Sequence, residues 1–248
     1  MHPPIATTSQ PLVSCILPTR NRPTLVRQAI KYFDRQDYDN RELVILDDGS
    51  TDMTAELQGA PRLLYSRCQP RIEAIGTKRN ILCAMARGAI IIHWDDDDWY
   101  SDTRLSNQIR PIINNQADVT AFSDCLFYET TSSTFWYCDP SIFKRMFVGN
   151  VHGGTLAYKR SLFEEGARYP DTSNAEDARF LYECHLRGAR LRGISGIGHF
   201  VYVRHPMSTW QFKCGFHVDS RGWKTAACTT MPAGDRQFLA SLAGFGAT

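Results

Sequence analysis

Along the first hundred residues, short apolar runs alternate with stretches whose apolar positions recur every three or four residues. The runs predict strands buried on both faces, and the spaced stretches predict amphipathic helices. Residues 12–17 form an apolar strand closed by Pro18, and residues 24–33 place Leu25, Val26, Ala29, Ile30 and Phe33 on one helical face. Residues 42–46 form the second strand, which runs into Asp47-Asp48-Gly49-Ser50-Thr51-Asp52. A short helix through Leu57 and a short strand over 62–66 follow. Ile81, Leu82, Met85 and Ala86 predict a helix over 76–87 stopped by Gly88, and 89–94 is the next strand. Such alternation is the pattern of a parallel sheet with crossover helices. Ligands of these sheets bind beyond the carboxyl ends of the strands. That edge would gather Thr19 and Arg20, Asp47 and Asp48, and the aspartates at 95–98.

The second half is less regular. Residues 103–114 predict a helix that Pro111 kinks or ends. Residues 119–128 and 134–137 read as strands that could pair as a hairpin, and Gly153-Gly154 opens another strand through Tyr158. In the helix predicted over 173–187, Ser173 and Glu176 match a capping box, Phe180, Leu181 and Leu186 support the apolar face, and Gly188 is the stop. A strand over 199–203 ends at Arg204-His205. Beyond residue 209 no strong periodicity remains, so 206–248 is expected to be a flap or tail, as 1–11 is expected to be an extension.

The strand at 89–94 delivers four consecutive carboxylates, Asp95, Asp96, Asp97 and Asp98, bracketed by Trp94 and Trp99. Like charges this close repel strongly, which calls for a compensating cation. Asp oxygens suit Mg²⁺ or Mn²⁺, and Mg²⁺ is usually held by one or two carboxylates together with substrate phosphates. The run therefore points to phosphate chemistry. Its alternative is a solvated acidic turn, against which the tryptophans and the preceding strand both count.

Composition narrows the field. A chain of 248 residues suffices for one substantial core. With 22% charged residues, 43% hydrophobic residues and a formal net charge of +2, nothing indicates disorder or a polybasic nucleic-acid face. No apolar stretch approaches the roughly 20 residues of a membrane span, and the opening MHPPIATTSQP has no signal-peptide pattern. A soluble, cytoplasmic protein is expected. The eight cysteines include no CxxC pair and are expected to be reduced and mostly buried.

Five segments, in order, resemble family 2 glycosyltransferases. Val13-Ser14-Cys15-Ile16-Leu17-Pro18-Thr19-Arg20-Asn21-Arg22 looks like the family's first strand and nucleotide loop. The stretch from Leu43-Val44-Ile45-Leu46 into Asp47-Asp48-Gly49-Ser50 is similar to its second-strand signature. Gly76-Thr77-Lys78-Arg79-Asn80, with Ala86 and Gly88, resembles the segment before its Asp-x-Asp motif. Trp94-Asp95-Asp96-Asp97-Asp98 resembles that motif, and Glu176-Asp177 its late Glu-Asp pair. The resemblance covers about 12–205 and implies the α/β GT-A fold, a single Rossmann-like domain with a mostly parallel central sheet flanked by helices. Its nucleotide-binding half would be about 12–100 and its acceptor half about 101–205.

The implied chemistry is single-displacement, inverting transfer of a sugar from a nucleoside-diphosphate sugar, by analogy a UDP-sugar, to an acceptor hydroxyl. It needs a neutralised diphosphate, a deprotonated hydroxyl and a sugar held for attack. By resemblance, Pro18, Thr19, Arg20, Asp48, Arg79, Asp95 and Asp96 would bind the donor nucleotide, with Lys78 beside Arg79. An Asx-type turn before Gly49 also accounts for Asp48. Asp97 would be the principal ligand of Mn²⁺ or Mg²⁺, with Asp98 and His205 as further ligands. Asp177 would be the general base. Glu176 also suits a helix N-terminus as such. His152, Gly153 and Glu176 would border the sugar or acceptor, with Trp136, Tyr137 and Trp210 as possible walls.

The chain departs from the family's processive members, lacking their membrane helices and their downstream Gln-x-x-Arg-Trp motif. That favours single transfers to a glycan, a lipid-linked sugar, a natural product or a protein. Two other readings stay open: a metal-dependent nucleotidyltransferase or phosphohydrolase, and a non-catalytic module that binds a nucleotide sugar or glycan. No loop resembling G-x-x-x-x-G-K-[ST] supports the former.

Overall fold

A computed structural model describes residues 10–244. In chain order its elements are β1 Val13–Thr19, α1 Pro23–Asp34, β2 Arg41–Asp47, α2 Thr54–Leu57, β3 Leu63–Arg67, α3 Ile75–Met85, β4 Ile90–His93 and β5 Trp99–Tyr100. There follow α4 Arg104–Ile113, β6 Val119–Asp124, β7 Leu126–Glu129, β8 Thr134–Cys138, α5 Pro140–Met146, β9 Ala157–Lys159, α6 Arg160–Glu164, α7 Glu176–Leu186, β10 Leu191–Ser195, β11 Phe200–Arg204, β12 Trp223–Thr225 and α8 Ala233–Ser241. Among the described residues they build a seven-stranded sheet, β10-β6-β9-β4-β1-β2-β3, and a five-stranded one, β12-β8-β7-β11-β5.

The large sheet is parallel except for β9, which runs antiparallel to both β4 and β6. Because side chains alternate across a strand, its apolar runs feed two cores. Val13, Cys15, Leu17, Leu43, Ile45, Ile90 and Ile92 face one core with Leu25, Phe33 and Leu105. Ile16, Val44, Leu46 and Ile91 face the other with Leu82, Phe180 and Leu181. Burial on both sides is why these strands read as unbroken apolar runs. Register pairs Thr19 with Asp47 and Ile16 with His93. The ends of β1, β2 and β4 thus share one edge, as the sequence predicts.

Several elements differ from expectation. Residues 119–128 are two strands, β6 and β7, which pass from one sheet to the other at Cys125. The strand expected from 153 begins only at Ala157, after a 3-10 turn over Gly153–Thr155. Pro111 is accommodated inside α4, which continues to Ile113. Ser173 and Glu176 do not form a capping box: α7 begins after Ala175, whose backbone is left-handed, and no side chain caps it. The Ser173 hydroxyl instead accepts from Ile75 N–H (3.1 Å), serving the first turn of α3. The segment beyond 205 contributes β12, which pairs with β8, and α8. Its Trp223, Met231 and Leu239 lie in the core. Of the expected N-terminal extension, residues 1–9 lie outside the described residues, as do 245–248. All eight cysteines are free.

Candidate active site

The acidic run is pinned by its two tryptophans. Trp94 donates from its indole to Ala29 C=O on α1 (3.1 Å), and Trp99 donates to Asp235 on α8 (2.8 Å). Both rings are buried, so the intervening carboxylates are held to fixed partners.

Each aspartate has its own compensation. Asp95 accepts from Arg79 Nη2 (3.0 Å). Asp96 accepts from Thr19 Oγ1 (2.6 Å) and Arg22 Nη1 (3.0 Å), and the same nitrogen donates to Asp97 (3.0 Å). Asp97 also meets His205 Nε2 at 3.0 Å. Burial opposes ionisation of Asp97, but His205 and Arg22 outweigh it and hold the carboxylate below its usual range. Burial raises Asp96 to about 6, with Arg22 opposing. Asp98 points away from the cavity, accepting from Val203 N–H (2.9 Å). Burial, then Asp97 and Asp95, raise it well above its usual value. Arg22 and Arg79 therefore supply part of the positive charge that the sequence calls for beside this run.

A second group approaches from α7. Glu176 receives Arg79 Nε (3.4 Å), so one guanidinium joins the Asp95 side of the cavity to the Glu176-Asp177 side. Asn80 ties α3 to the segment leading into α7: its amide donates to Tyr169 C=O (2.8 Å) and its carbonyl accepts from Tyr169 N–H (3.0 Å). Burial lifts Glu176 to about 7, with Arg79 opposing and Asp177 adding to the rise; burial also raises Asp177. The Asp177 carboxylate lies against the Cα of Gly153, in the space a side chain there would fill. Asp95 Oδ2 is close to the same space on Gly154, at 3.3 Å.

That glycine turn is held from beneath by a buried hydrogen-bond chain. Gly153 C=O can only accept, so His93 Nδ1 donates to it (3.0 Å). His93 Nε2 then accepts from the Tyr169 hydroxyl (2.7 Å), which accepts from Tyr158 (2.9 Å), which accepts from the Cys83 thiol (3.1 Å). Burial, with Arg79 and Arg104 nearby, keeps His93 neutral by lowering it well below its usual value.

The resulting cavity, about 460 Å³, brings together Pro18, Arg79, Asp95, Asp96, Asp97, His152, Gly153, Glu176, Asp177 and Trp210. It does not bring in Asp48, Thr19 or Arg20. Asp48 is buried in an ion pair with Lys78 and accepts from Ile72 N–H (2.9 Å). Thr19 lies under the cavity on Asp96. Arg20 is half-buried, without a hydrogen bond or ion pair to any described residue. Trp136 and Tyr137 lie on β8, where Trp136 packs over Gly215 outside the cavity lining. Arg22 was missed as a site residue: it was visible within the first motif, but its partners are 74 and 75 positions away. Phe147, Val148 and Leu181, which form an apolar wall beside Asp177, carried no signal that separates them from core.

The profile described as "Glycosyl transferase family 2" matches residues 14–166, more than half of the chain. The chain belongs to that family. Over 103 residues, 40% of this chain and 37% of the relative, it is 38% identical to the putative colanic acid biosynthesis glycosyl transferase WcaA of Escherichia coli. Among solved structures it is similar to S. aureus TarS 1-349 in complex with UDP, with TM-score 0.61 and 22% identity over 79% of this chain and 61% of that one. It is also similar to the mannosyltransferase PcManGT from Pyrobaculum calidifontis in complex with GDP-Man and Mn2+, with TM-score 0.63 and 21% identity over 82% and 59% of the two chains. These neighbours share the fold, which is the GT-A fold the sequence predicts. The chain spans 37% to 62% of the length of the first curated relatives it matches. No helix of the described residues is long and apolar enough to cross a membrane.

Proposed function

We propose that this family 2 chain transfers a sugar from a nucleoside-diphosphate sugar, in the first instance a UDP-sugar, to an acceptor hydroxyl with inversion, and that Asp177 is the general base. The observation that carries this reading is the cavity itself, which places Asp177 across the Gly153-Gly154 turn from Asp95 with Arg79 joining the two sides. With Glu176 engaged by Arg79, Asp177 suits one direct displacement: it would take the hydroxyl proton while the oxygen attacks the anomeric carbon. Arg79 holds Glu176 and Asp95 in place. Phe147, Val148 and Leu181 give the cavity an apolar wall against which an acceptor could pack. Residues 12–100 would then serve the donor and 101–205 chiefly the acceptor, with His205 meeting Asp97 and Met207 C=O, beyond it, accepting from Arg22.

Asp97 and His205 are the residues that would hold a divalent cation, with Arg22 as the competing partner of the same Asp97 oxygen. No group of three acidic, histidine or cysteine side chains able to hold a metal exists among the described residues. Mg²⁺ and Mn²⁺ nevertheless often take only one or two carboxylates and complete their shell with substrate phosphates. Asp97 Oδ2 and His205 Nε2 converge to 3.0 Å. Met207 N–H donates to His205 Nδ1 (3.1 Å), which leaves the ring proton on Nε2, so a cation there would replace that proton. When bound, Mn²⁺ or Mg²⁺ would neutralise the departing diphosphate. A cytoplasmic setting agrees with eight free cysteines.

The test is calorimetric binding of UDP, GDP, TDP, CDP and ADP, with and without Mn²⁺, to the wild type, Asp97→Ala and Asp177→Asn. One base should bind in a metal-dependent way, weakened in Asp97→Ala and unchanged in Asp177→Asn. Transfer from the matching nucleotide sugar should fall about 10²- to 10⁴-fold in Asp177→Asn. Absence of nucleotide binding by the folded wild type would defeat the proposal.

A further inference from the structure

Two segments frame the mouth of the cavity, and both expose large apolar side chains. Val148, 62% exposed, and Trp210, 36% exposed, line the cavity and also reach solvent. Phe147 meets the Trp210 ring edge-on, with ring centres 5.8 Å apart, so the end of α5 and the segment 206–218 form one surface. That segment also exposes Met207 (52%) and Phe216 (64%). On the α7 side, a Cβ on Gly149 would meet Leu191 at 3.4 Å and Leu181 at 3.5 Å. The exposed Leu191 therefore carries the apolar wall outward from Leu181.

Single exposed apolar residues need no partner, but a cluster around the entrance to a site does. The charge of the surroundings selects that partner. Residues 140–163 and 206–218 contain no aspartate or glutamate. Near the mouth they carry Lys144 and Arg145, both exposed and about one turn before Val148, and Lys213, whose Nζ lies over Phe216 at 5.0 Å from the ring centre. The acids just outside these segments are answered locally, Asp219 by Arg221 (2.8 Å) and Asp139 by Lys224 (3.9 Å). A second copy of the chain seated here on its own equivalent surface would set cation against cation. An anionic bilayer suits both properties at once: the rings of Trp210 and Phe216 enter the boundary between headgroups and acyl chains, and the lysines meet lipid phosphates.

We propose that the end of α5 and the segment 206–218 seat this chain on an anionic lipid surface, with the mouth of the cavity at headgroup level. The docking follows from the surface alone. Its consequence, that the acceptor is a hydroxyl borne by a lipid and presented to Asp177 from the membrane, rests on the glycosyl-transfer reading above.

The experiment is co-sedimentation with vesicles of phosphatidylcholine, alone or mixed with phosphatidylglycerol, without nucleotide. The wild type should bind the mixed vesicles and not the zwitterionic ones, and binding should weaken as salt rises from about 0.1 M to about 1 M. Phe216→Ser and the double variant Lys144→Glu/Lys213→Glu should each lose about tenfold in affinity. Lys31→Glu, at the far end of α1, changes the same kind of charge away from the mouth and should lose no more than about twofold. Lipids brominated on their acyl chains should quench part of the tryptophan emission, and that part should vanish in Trp210→Phe. Unfolding curves establish that each variant is folded. Failure of the folded wild type to bind mixed vesicles would overturn the proposal, as would a loss in Lys31→Glu as large as in the double variant, or quenching that persists in Trp210→Phe. A concentration-dependent dimer that Phe216→Ser dissociates, with no vesicle binding, would assign the surface to a second copy and overturn it too. All these results leave glycosyl transfer standing, whereas absence of nucleotide binding with vesicle binding intact would defeat that reading and leave the docking in place.

Discussion

The Asp177 carboxylate occupies the space that a side chain on Gly153 would need; a Cβ there would fall on its Oδ2 and Cγ. Gly153→Ala must therefore move the carboxylate, and because the Asp177 Cβ lies only 2.9 Å from the same space, the turn or the start of α7 must also shift slightly. The backbone at 153 is within a 3-10 turn and tolerates alanine. Folding stability should fall by about 1–3 kcal/mol, while kcat should drop at least tenfold, because a base displaced by about 1 Å loses its alignment. Melting curves and steady-state rates of the variant test this. Unaltered kcat in Gly153→Ala would show that the position of Asp177 does not matter.

Glu176 protonates at about 7 in the folded chain against 4.5 ordinarily. The folded state thus holds a proton that the unfolded chain has released. This contribution to stability is fully present below about 4.5 and is lost as pH rises through about 7. Over that window it amounts to about 3 kcal/mol. Glu176→Gln, which cannot ionise, should remove this share of the decline in melting temperature between pH 5 and 8. Asp96, raised to about 6, leaves a residual slope in both proteins. Identical pH slopes for variant and wild type would refute the assignment to Glu176.

Arg22 Nη1 bridges Asp96 and Asp97 at 3.0 Å each. Without it, two adjacent carboxylates with little access to water would face each other. Arg22→Ala should cost about 3 kcal/mol in metal-free buffer, near the range for breaking a buried pair. A divalent cation can supply the missing charge. Adding Mn²⁺ should therefore raise the melting temperature of Arg22→Ala more than that of the wild type. An equal or smaller shift in the variant would mean that the cation does not reach this pair.

How much of this was legible in the sequence depended on range. The strand ends and the edge they share followed from short apolar runs, because period and burial are local properties. Asp95, Asp97, Glu176 and Asp177 were found through motifs and do meet at one cavity. Sequence could not show that Arg22 and Arg79 would reach the four aspartates from other elements, or that Asp98 would turn to Val203 N–H. Ser173 misled for a related reason: its spacing to Glu176 fits a capping box, yet its hydroxyl turns to α3, about 100 residues earlier. The segment beyond 205 read as a tail because its core side chains, Trp223, Met231, Leu239 and Leu242, are too widely spaced to show a period.

The chain from Cys83 to Gly153 gives the most direct test of how the site is supported. Tyr169 sits in its middle, accepting from Tyr158 and donating to His93, and its ring stacks on Phe180 with centres 4.0 Å apart. Tyr169→Phe keeps that stack and removes only the hydroxyl. His93 Nε2 then has no donor and the Tyr158 hydroxyl no acceptor, both in the interior. Two such groups should cost about 2–4 kcal/mol in urea unfolding. The loss should also reach the cavity, since His93 fixes the Gly153 carbonyl and Gly153 faces Asp177. Tyr158→Phe leaves the bond from Tyr169 to His93 intact, so it should lower stability while sparing kcat. Combining the two substitutions should cost less than the sum of the single effects, with a coupling of about 1 kcal/mol or more. Additive losses, or a Tyr158→Phe variant whose kcat falls as far as that of Tyr169→Phe, would mean that the chain does not transmit order to the glycine turn.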